Sequence, residues 1–314
     1  MSITTLEWNQ APPKECLKGA LTIGNFDGVH RGHAALLKEA RRQAHALDGP
    51  AIALTFDPHP LQILRPQQFQ PMLTTVRDRA ELMQSAGAEH VLLLHTTSAL
   101  LHLSAQEFFH QVIRDRLAAR ALVEGPNFGF GRNREGSVET LRPLCREAGL
   151  GLVIVPPVLI DNKPISSSRV RDALLRGAVQ EALELLDRPY RLRGTVGTGQ
   201  RRGRTIGFPT ANMEALETLV PGDGVYAVRV RHGGVFRPGA ANIGANPTFG
   251  EKSRKLEVHI LDFEGELAGQ ILEVDFLERL RGTRPFAGVD QLVEQLRTDV
   301  ARARQVFDAY IQQG

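Results

Sequence analysis

Two histidines set close together among glycines are the residues of this chain best suited to chemistry. Residues 24–33 read Gly-Asn-Phe-Asp-Gly-Val-His-Arg-Gly-His, with His30 and His33 on either side of Gly32. A short apolar run, 20–23, comes before them and a helical pattern, 34–47, comes after. A strand, a glycine turn and a helix start leave backbone N–H groups free to face an anion. Imidazoles placed there donate to phosphate oxygens, and Gly24, Gly28 and Gly32 let backbone approach a ligand closely. Taken alone, the pair also fits two ordinary surface or core histidines. A metal reading is weaker: His30 and His33 lie one helical turn apart, but zincin helices space their ligands i, i+4 with a glutamate.

Other segments of the first half carry similar chemistry. Thr55-Phe56-Asp57-Pro58-His59-Pro60 ends an apolar run, and its prolines stop the strand with Asp57 and His59 at the carboxyl end. An ordinary turn is the alternative. In Gly125-Pro126-Asn127-Phe128-Gly129-Phe130-Gly131, Asn127 offers a donor and an acceptor. Phe128 and Phe130 suit a flat ring or a core-lining turn equally. Ser167 and Ser168 open a late helical pattern, where hydroxyls and N–H groups hold phosphate or simply cap the helix. Arg171 adds a permanently charged, bidentate clamp.

The second half offers a different set. Residues 194–212 are rich in Gly and Arg, with Gly199, Gly203, Gly207 and Arg201, Arg202, Arg204. No Gly-Lys-Ser/Thr follows, so this is not a Walker A loop. Composition leaves ATP and RNA nearly even as its ligand. Thr210 and Asn212 alternate by two, so on a strand both face one side. They offer oxygen ligands for a hard cation, or form a polar edge. Glu257 and His259 share a face; a glutamate in a cleft accepts a proton from a hydroxyl, and on an open barrel face it simply meets solvent.

These residues need a scaffold, and 314 residues suggest two domains. The first half alternates short apolar runs (20–23, 51–56, 90–94, 121–124, 151–155) with helical patterns (34–47, 76–86, 105–117, 138–148). That alternation predicts a Rossmann-like α/β domain, a parallel sheet with helices on both faces. Ligands of such sheets bind beyond the carboxyl ends of the strands, where residues 24–33 fall. A helical stretch, 168–186, broken near Gly177, ends the half, and the expected boundary divides the chain into 1–186 and 187–314. Beyond it, Val/Ile-rich runs at 190–196, 225–230, 235–241, 256–261 and 271–276 predict a small antiparallel β-barrel. A terminal α-helix from Val289 to about residue 312 carries Leu292, Leu296, Val300, Ala303, Phe307 and Tyr310 on one stripe, for packing on the barrel.

Composition narrows the function. The chain is 42% hydrophobic and 23% charged, with a net charge of +3. That charge is too small to argue for nucleic acid or membrane as the main partner. Two cysteines, Cys16 and Cys145, give no metal spacing and no disulfide framework. With neither a signal-like N-terminus nor a membrane-length apolar run, a cytoplasmic location is the expectation.

In this order, Gly-x-Phe-Asp-Gly-Val-His-x-Gly-His, Thr-Phe-Asp-Pro-His-Pro, Asn-Phe-x-Phe-Gly and Ile-Ser-Ser-x-x-Val-Arg resemble the bacterial bifunctional riboflavin kinase/FAD synthetases. The second half is similar to the same family through Arg-Gly-Arg-x-Ile-Gly-Phe-Pro-Thr-Ala-Asn, Asp223-Gly224-Val225-Tyr226, Ala241-Asn242-Ile243-Gly244 and Leu256-Glu257-Val258-His259. The resemblance implies that riboflavin and ATP give FMN in the second half, and FMN and ATP give FAD and pyrophosphate in the first. It implies that His30 and His33 stabilise charge on ATP, with Gly24, Phe26, Asp27, Gly28, Asn127, Ser167, Ser168 and Arg171 around the nucleotide. Asp57, His59 and Phe128 would stand on the flavin side. In the kinase, Glu257 is the implied base, Thr210 and Asn212 hold Mg²⁺-ATP, and Gly199, Gly203, Arg204 and Gly207 belong to the loop over the phosphates. The alternatives are a chain with one of the two activities, or a flavin- or RNA-binding regulator.

Overall fold

A strand whose side chains are all apolar needs cover on both faces, and every residue of β2 (Ala20–Ile23) is buried. The computed structural model describes residues 3–197, 207–244 and 254–313. By contacts the chain divides into two compact units, Met1–Gln70 with Thr74–Ser166, and Pro71–Leu73 with Ser167–Gly314.

The first unit holds β1 (Ile3–Leu6), β2, β3 (Ala51–Asp57), β4 (His90–His95), β5 (Ala121–Glu124) and β8 (Gly151–Ile154), with hairpins β6 (Gly129–Phe130)–β7 (Gly136–Ser137) and β9 (Leu159–Ile160)–β10 (Lys163–Pro164). Six strands form one parallel sheet in the order β1-β4-β3-β2-β5-β8. Its helices are α1 (Arg31–Ala46), α2 (Pro60–Leu64), α3 (Val76–Ser85), α4 (Ser98–His102), α5 (Ala105–Phe108) and α6 (Val138–Ala148). Both faces are covered, as the uniform strands require. Leu21, Ile52, Leu54 and Leu92 pack with Phe109, Val112 and Leu141 on one side. Ala53 and Val91 pack with Leu37, Ala80 and Met83 on the other.

Three details differ from expectation. β1, Ile-Thr-Thr-Leu, pairs with β4 at the sheet edge; four residues of mixed polarity without alternation carried no strand signal. α1 starts at Arg31, so His33 lies inside its first turn. The expected helix 105–117 is α5 followed by a wider π-helical stretch, Phe109–Arg116.

The second unit is a closed barrel of β11 (Tyr190–Val196), β12 (Ala211–Glu214), β13 (Gly224–His232), β14 (Val235–Gly244), β15 (Lys255–Ile260) and β16 (Ile271–Arg281), in the order β11-β12-β15-β14-β13-β16. Alternation drives closure: Leu256, Val258 and Ile260 are buried while Lys255, Glu257 and His259 are not. Outside the barrel, Asp275 accepts from Arg191 at 2.6 and 3.0 Å and from Arg229 at 2.6 and 3.0 Å, which ties β11, β16 and β13 together. α9 (Val289–Gln313) packs on β13, β14 and β16. Its inward stripe includes a carboxylate: Asp299 is buried and meets Arg281 at 2.8 and 3.0 Å.

Helices α7 (Ser167–Leu175) and α8 (Val179–Leu186) fall by contacts in the second unit, so the contact division at 166/167 precedes the expected 186/187 boundary. The reason is packing. α8 lies on β11 and β16, and the Gly222 N–H donates to the Leu174 carbonyl at 2.8 Å.

Candidate active sites

The order of the parallel sheet reverses at β2, with β3 on one side and β5 on the other. Such a switch point opens a crevice at the strands' carboxyl ends. The β2–β5 ladder stops after Leu21–Leu122. Beyond it, the Ile23 N–H donates to the Glu124 side chain at 2.9 Å instead of to a neighbouring carbonyl. Glu124 is 1% exposed, and burial raises its carboxyl well above the ordinary carboxylate value.

The turn that leaves β2 is strained. Phe26, Gly28 and Val29 have φ of +48°, +81° and +39°. Left-handed backbone at a bulky or β-branched residue costs about 1–3 kcal/mol. The turn persists because Phe26 and Val29 are buried in the core on the α1–α3 side. Asp27 is also buried and accepts from the Thr74 N–H (3.3 Å) and hydroxyl (3.4 Å), while the Gly28 N–H donates to Thr74 Oγ1 at 3.2 Å. Asp27 thus holds the turn's shape.

His30 caps α1: its Nδ1 accepts from the His33 N–H at 3.3 Å. That bond leaves the neutral ring's proton on Nε2. The His30 and His33 rings stack at 3.7 Å and 16°. A Cβ at Gly32 would stand 3.1 Å from His30 Cε1 and 3.8 Å from the Ile165 carbonyl oxygen. Glycine therefore keeps the ring seated, and the chain leading to Ser167 comes alongside. No acidic residue lies in the first turn of α1, so its positive end is uncompensated by the helix's own side chains.

The remaining residues of this half fall as follows. Gly24 is half-buried where β2 ends, and its N–H donates to the Leu54 carbonyl at 3.0 Å. Asp57 is exposed at the end of β3. His59 caps α2, accepting from the Leu61 N–H at 3.1 Å, and its ring lies 5.6 Å from Phe69. Leu61, Ile63 and Leu64 beside it are exposed. Asn127 is exposed, and its carbonyl accepts from Arg134 at 3.3 Å. Phe128 stacks on Phe130 at 5.4 Å and 15°. Phe130 is core, and half-buried Phe128 packs against the same core. Ser167, Ser168 and Arg171 open α7, and Arg171 Nε donates to the Pro71 carbonyl at 3.4 Å.

In the barrel, strand register assembles the second site. Asn212 on β12 pairs with Glu257 on β15, which pairs on its other side with Asn242 on β14. Their neighbours Ala211, Met213, Leu256, Val258, Ala241 and Ile243 are buried, so the three polar residues form one row on the outer face. Thr210 precedes β12 and is exposed. His259 Nδ1 bonds the Pro209 carbonyl at 2.7 Å and holds the approach to Thr210. Gly207 is exposed with φ +84°; Gly199, Gly203 and Arg204 lie outside the described residues. A cavity of about 410 Å³ reaches from Thr210 to Val196, Val258, Ile260 and Phe263, with Glu264 and Glu266 also on its wall. Sequence reasoning missed that cavity, because its lining is ordinary strand and turn residues gathered only by closure. Asn242 stands in the Ala241-Asn242-Ile243-Gly244 segment, but only strand register places it beside Glu257.

The chain combines an α/β unit that carries two histidines on a turn and helix start with a closed barrel that carries a carboxylate-amide row, the outline of a two-part nucleotide-dependent transferase. The family model for FAD synthetase matches residues 13–169, and that for riboflavin kinase matches residues 186–307. A bifunctional riboflavin kinase/FMN adenylyltransferase of Escherichia coli strain K12 is 35% identical over 300 residues, 95% of each chain. One from Pseudomonas fluorescens is 38% identical, covering 90% of this chain and 91% of that one. A solved structure from Streptococcus pneumoniae, described as a macrolide-efflux protein, is 34% identical with a TM-score of 0.86, over 96% of this chain and 99% of that one. No helix among the described residues is long and apolar enough to cross a membrane. The chain belongs to the bifunctional riboflavin kinase/FMN adenylyltransferase family.

Proposed function

We propose that this chain makes FMN from riboflavin and ATP, and FAD from FMN and ATP, with the first reaction assigned to residues 187–314 and the second to 1–186. The observation that carries this reading is the co-occurrence of both sites in a chain aligned with bifunctional relatives over 95% of its length.

In phosphorylation, Glu257 takes the proton from the riboflavin 5′-hydroxyl as its oxygen attacks the γ-phosphorus of ATP, and ADP leaves. The cavity beside Thr210 combines apolar walls from Val196, Val258, Ile260 and Phe263 with polar groups, and is assigned to the adenine base. Thr210 and Asn212 present neutral oxygen donors, a set that fits Mg²⁺ shared with ATP phosphates better than a protein cage. Bound there, Mg²⁺ would neutralise charge on the phosphates. Gly199, Gly203, Arg204 and Gly207 are assigned to the phosphate-covering loop.

In adenylyl transfer, an FMN phosphate oxygen attacks the α-phosphorus of ATP and pyrophosphate leaves. His30 donates through Nε2–H, and His33 with the first-turn amides of α1 supports the developing charge. Gly24, Phe26, Asp27 and Gly28 shape the turn. Asn127, Ser167, Ser168 and Arg171 are assigned to the nucleotide, and Asp57, His59 and Phe128 to the flavin. The exposed apolar residues Leu61, Ile63 and Leu64 next to His59 support that flavin side. We place the protein in the cytoplasm, where Cys16 and Cys145 stay as the free thiols seen here.

Incubation with riboflavin, ATP and Mg²⁺, with products separated over time, tests the reading. FMN should appear before FAD. A chain that yields neither defeats it, and tight, salt-sensitive RNA binding without ATP turnover would favour the regulator.

A further inference from the structure

We propose that Arg79 is a positioning residue for adenylyl transfer, fixing the nucleotide turn against the flavin-side turn; this rests on the adenylyl-transfer reading of the first unit. Arg79 sits on α3, where the residues facing inward are otherwise Ala80 and Met83. It is 2% exposed. Its Nη1 donates to the Asn25 carbonyl at 3.2 Å and its Nη2 to the Phe56 carbonyl at 3.1 Å. Asn25 belongs to the turn that carries His30 and His33, and Phe56 immediately precedes Asp57. One planar fork therefore joins the two segments on which the two substrates are assigned. The Asn25 carbonyl also accepts from the Thr55 hydroxyl at 3.2 Å, so the junction is braced from β3 as well.

Charge gives the second argument. A buried guanidinium is costly to desolvate, and two neutral donors would tie two carbonyls without that cost. Burial does pull the Arg79 guanidinium below its ordinary value, while Asp27 and Asp57 act in the opposite direction. The buried cation thus offsets two carboxylates beside a site whose substrates are both polyanions. Its Nε has no hydrogen-bond partner, so hydrogen bonding does not use the whole guanidinium. Lysine would supply the charge but not the fork. Misplacing reacting groups by about 1 Å costs about a hundredfold in rate, so the junction should act on turnover more than on affinity.

The test uses the full chain, with riboflavin phosphorylation as the internal control. FAD formation from supplied FMN is measured first in the unaltered protein; no FAD there defeats the adenylyl-transfer reading itself. In Arg79→Lys and Arg79→Gln, kcat for FAD formation should fall at least tenfold, the KM values for ATP and FMN should move less than threefold, and riboflavin phosphorylation should stay within twofold. FAD formation in the unaltered protein with variant kcat within twofold overturns the proposal alone. So does a rise in both KM values at unchanged kcat. If one variant loses its near-ultraviolet circular dichroism at the assay temperature, the other carries the test. Loss of both to unfolding assigns Arg79 to stability and overturns the proposal.

Discussion

The two halves hold candidate sites for the same co-substrate by opposite means. In the first unit the groups proposed to meet ligand sit on turns and a helix start, braced by left-handed backbone at Phe26, Gly28 and Val29 and by the His30 cap. In the barrel they sit on strands, and the Asn212–Glu257–Asn242 row follows from register alone. A turn aims many backbone N–H groups at one point, which suits a reaction needing charge stabilisation and no base. A strand row fixes one carboxylate between two amides, which suits a single proton transfer. Damage should therefore concentrate at one residue in the barrel and spread over several in the first unit.

The largest effect follows from that contrast. Glu257→Gln should cut riboflavin phosphorylation by about 10²–10⁴-fold, the usual worth of a general base, and leave FAD formation from supplied FMN within twofold. Loss of both activities together would break the division between units. Next comes His33→Ala, expected to lower FAD formation by about 10²–10³-fold, as for removal of one charge-stabilising donor, with FMN formation untouched. His30 sharpens the point because it is both donor and cap. His30→Ala should also lose about 1 kcal/mol of stability. His30→Asn should recover the cap and the melting temperature but not the rate. An asparagine that restored FAD formation would reduce His30 to its capping role.

The same contrast explains what could be read from the sequence. Strands such as 121–124 and helices such as 138–148 are continuous runs with a clear period, so the alternating half and the barrel were both legible. The barrel row was half legible, since Glu257 stands in a short alternating run while Asn242 pairs with it only through closure. Arg79 was invisible: on a helix, an arginine reads as solvated, and only the fold turns it inward under two loops. Glu124 was hidden for a related reason. It ends an apolar strand and looks like an exposed terminus, yet the switch point buries it. The family models change over between residues 169 and 186, next to the expected boundary, while contacts group α7 and α8 with the second unit because α8 packs on β11 and β16.

Smaller effects test how far strain is confined to the first unit. Gly28→Ala places a side chain at φ +81° and should destabilise by about 1 kcal/mol. Because the Gly28 N–H also meets Thr74, the ATP KM for FAD formation should rise with it. Calorimetric melting and the two assays on one preparation check this. A substitution without effect on either would show that the turn tolerates a Cβ and that its geometry is not imposed by the glycine.

The smallest expected effect concerns how each half buries acid. The barrel sets Asp275 and Asp299 against arginines, whereas the first unit sets Glu124 against the Ile23 amide. Burial raises the folded-state pKa of Glu124 above its unfolded value. A group raised in this way contributes its stability in full below the unfolded carboxylate pKa, about 4.3, and loses it as pH rises toward the folded value. Glu124→Gln keeps an oxygen acceptor for Ile23 and cannot ionise. The variant should therefore melt at or below the unaltered protein at pH 4 and above it at pH 8, by about 3 °C if the difference is roughly 1 kcal/mol. The shift should appear in the transition that removes FAD formation and not in the one that removes riboflavin phosphorylation. Parallel melting curves for the two proteins from pH 4 to pH 8 would mean that Glu124 carries no proton the unfolded chain lacks, and that the crevice between β2 and β5 is wetter than its burial implies.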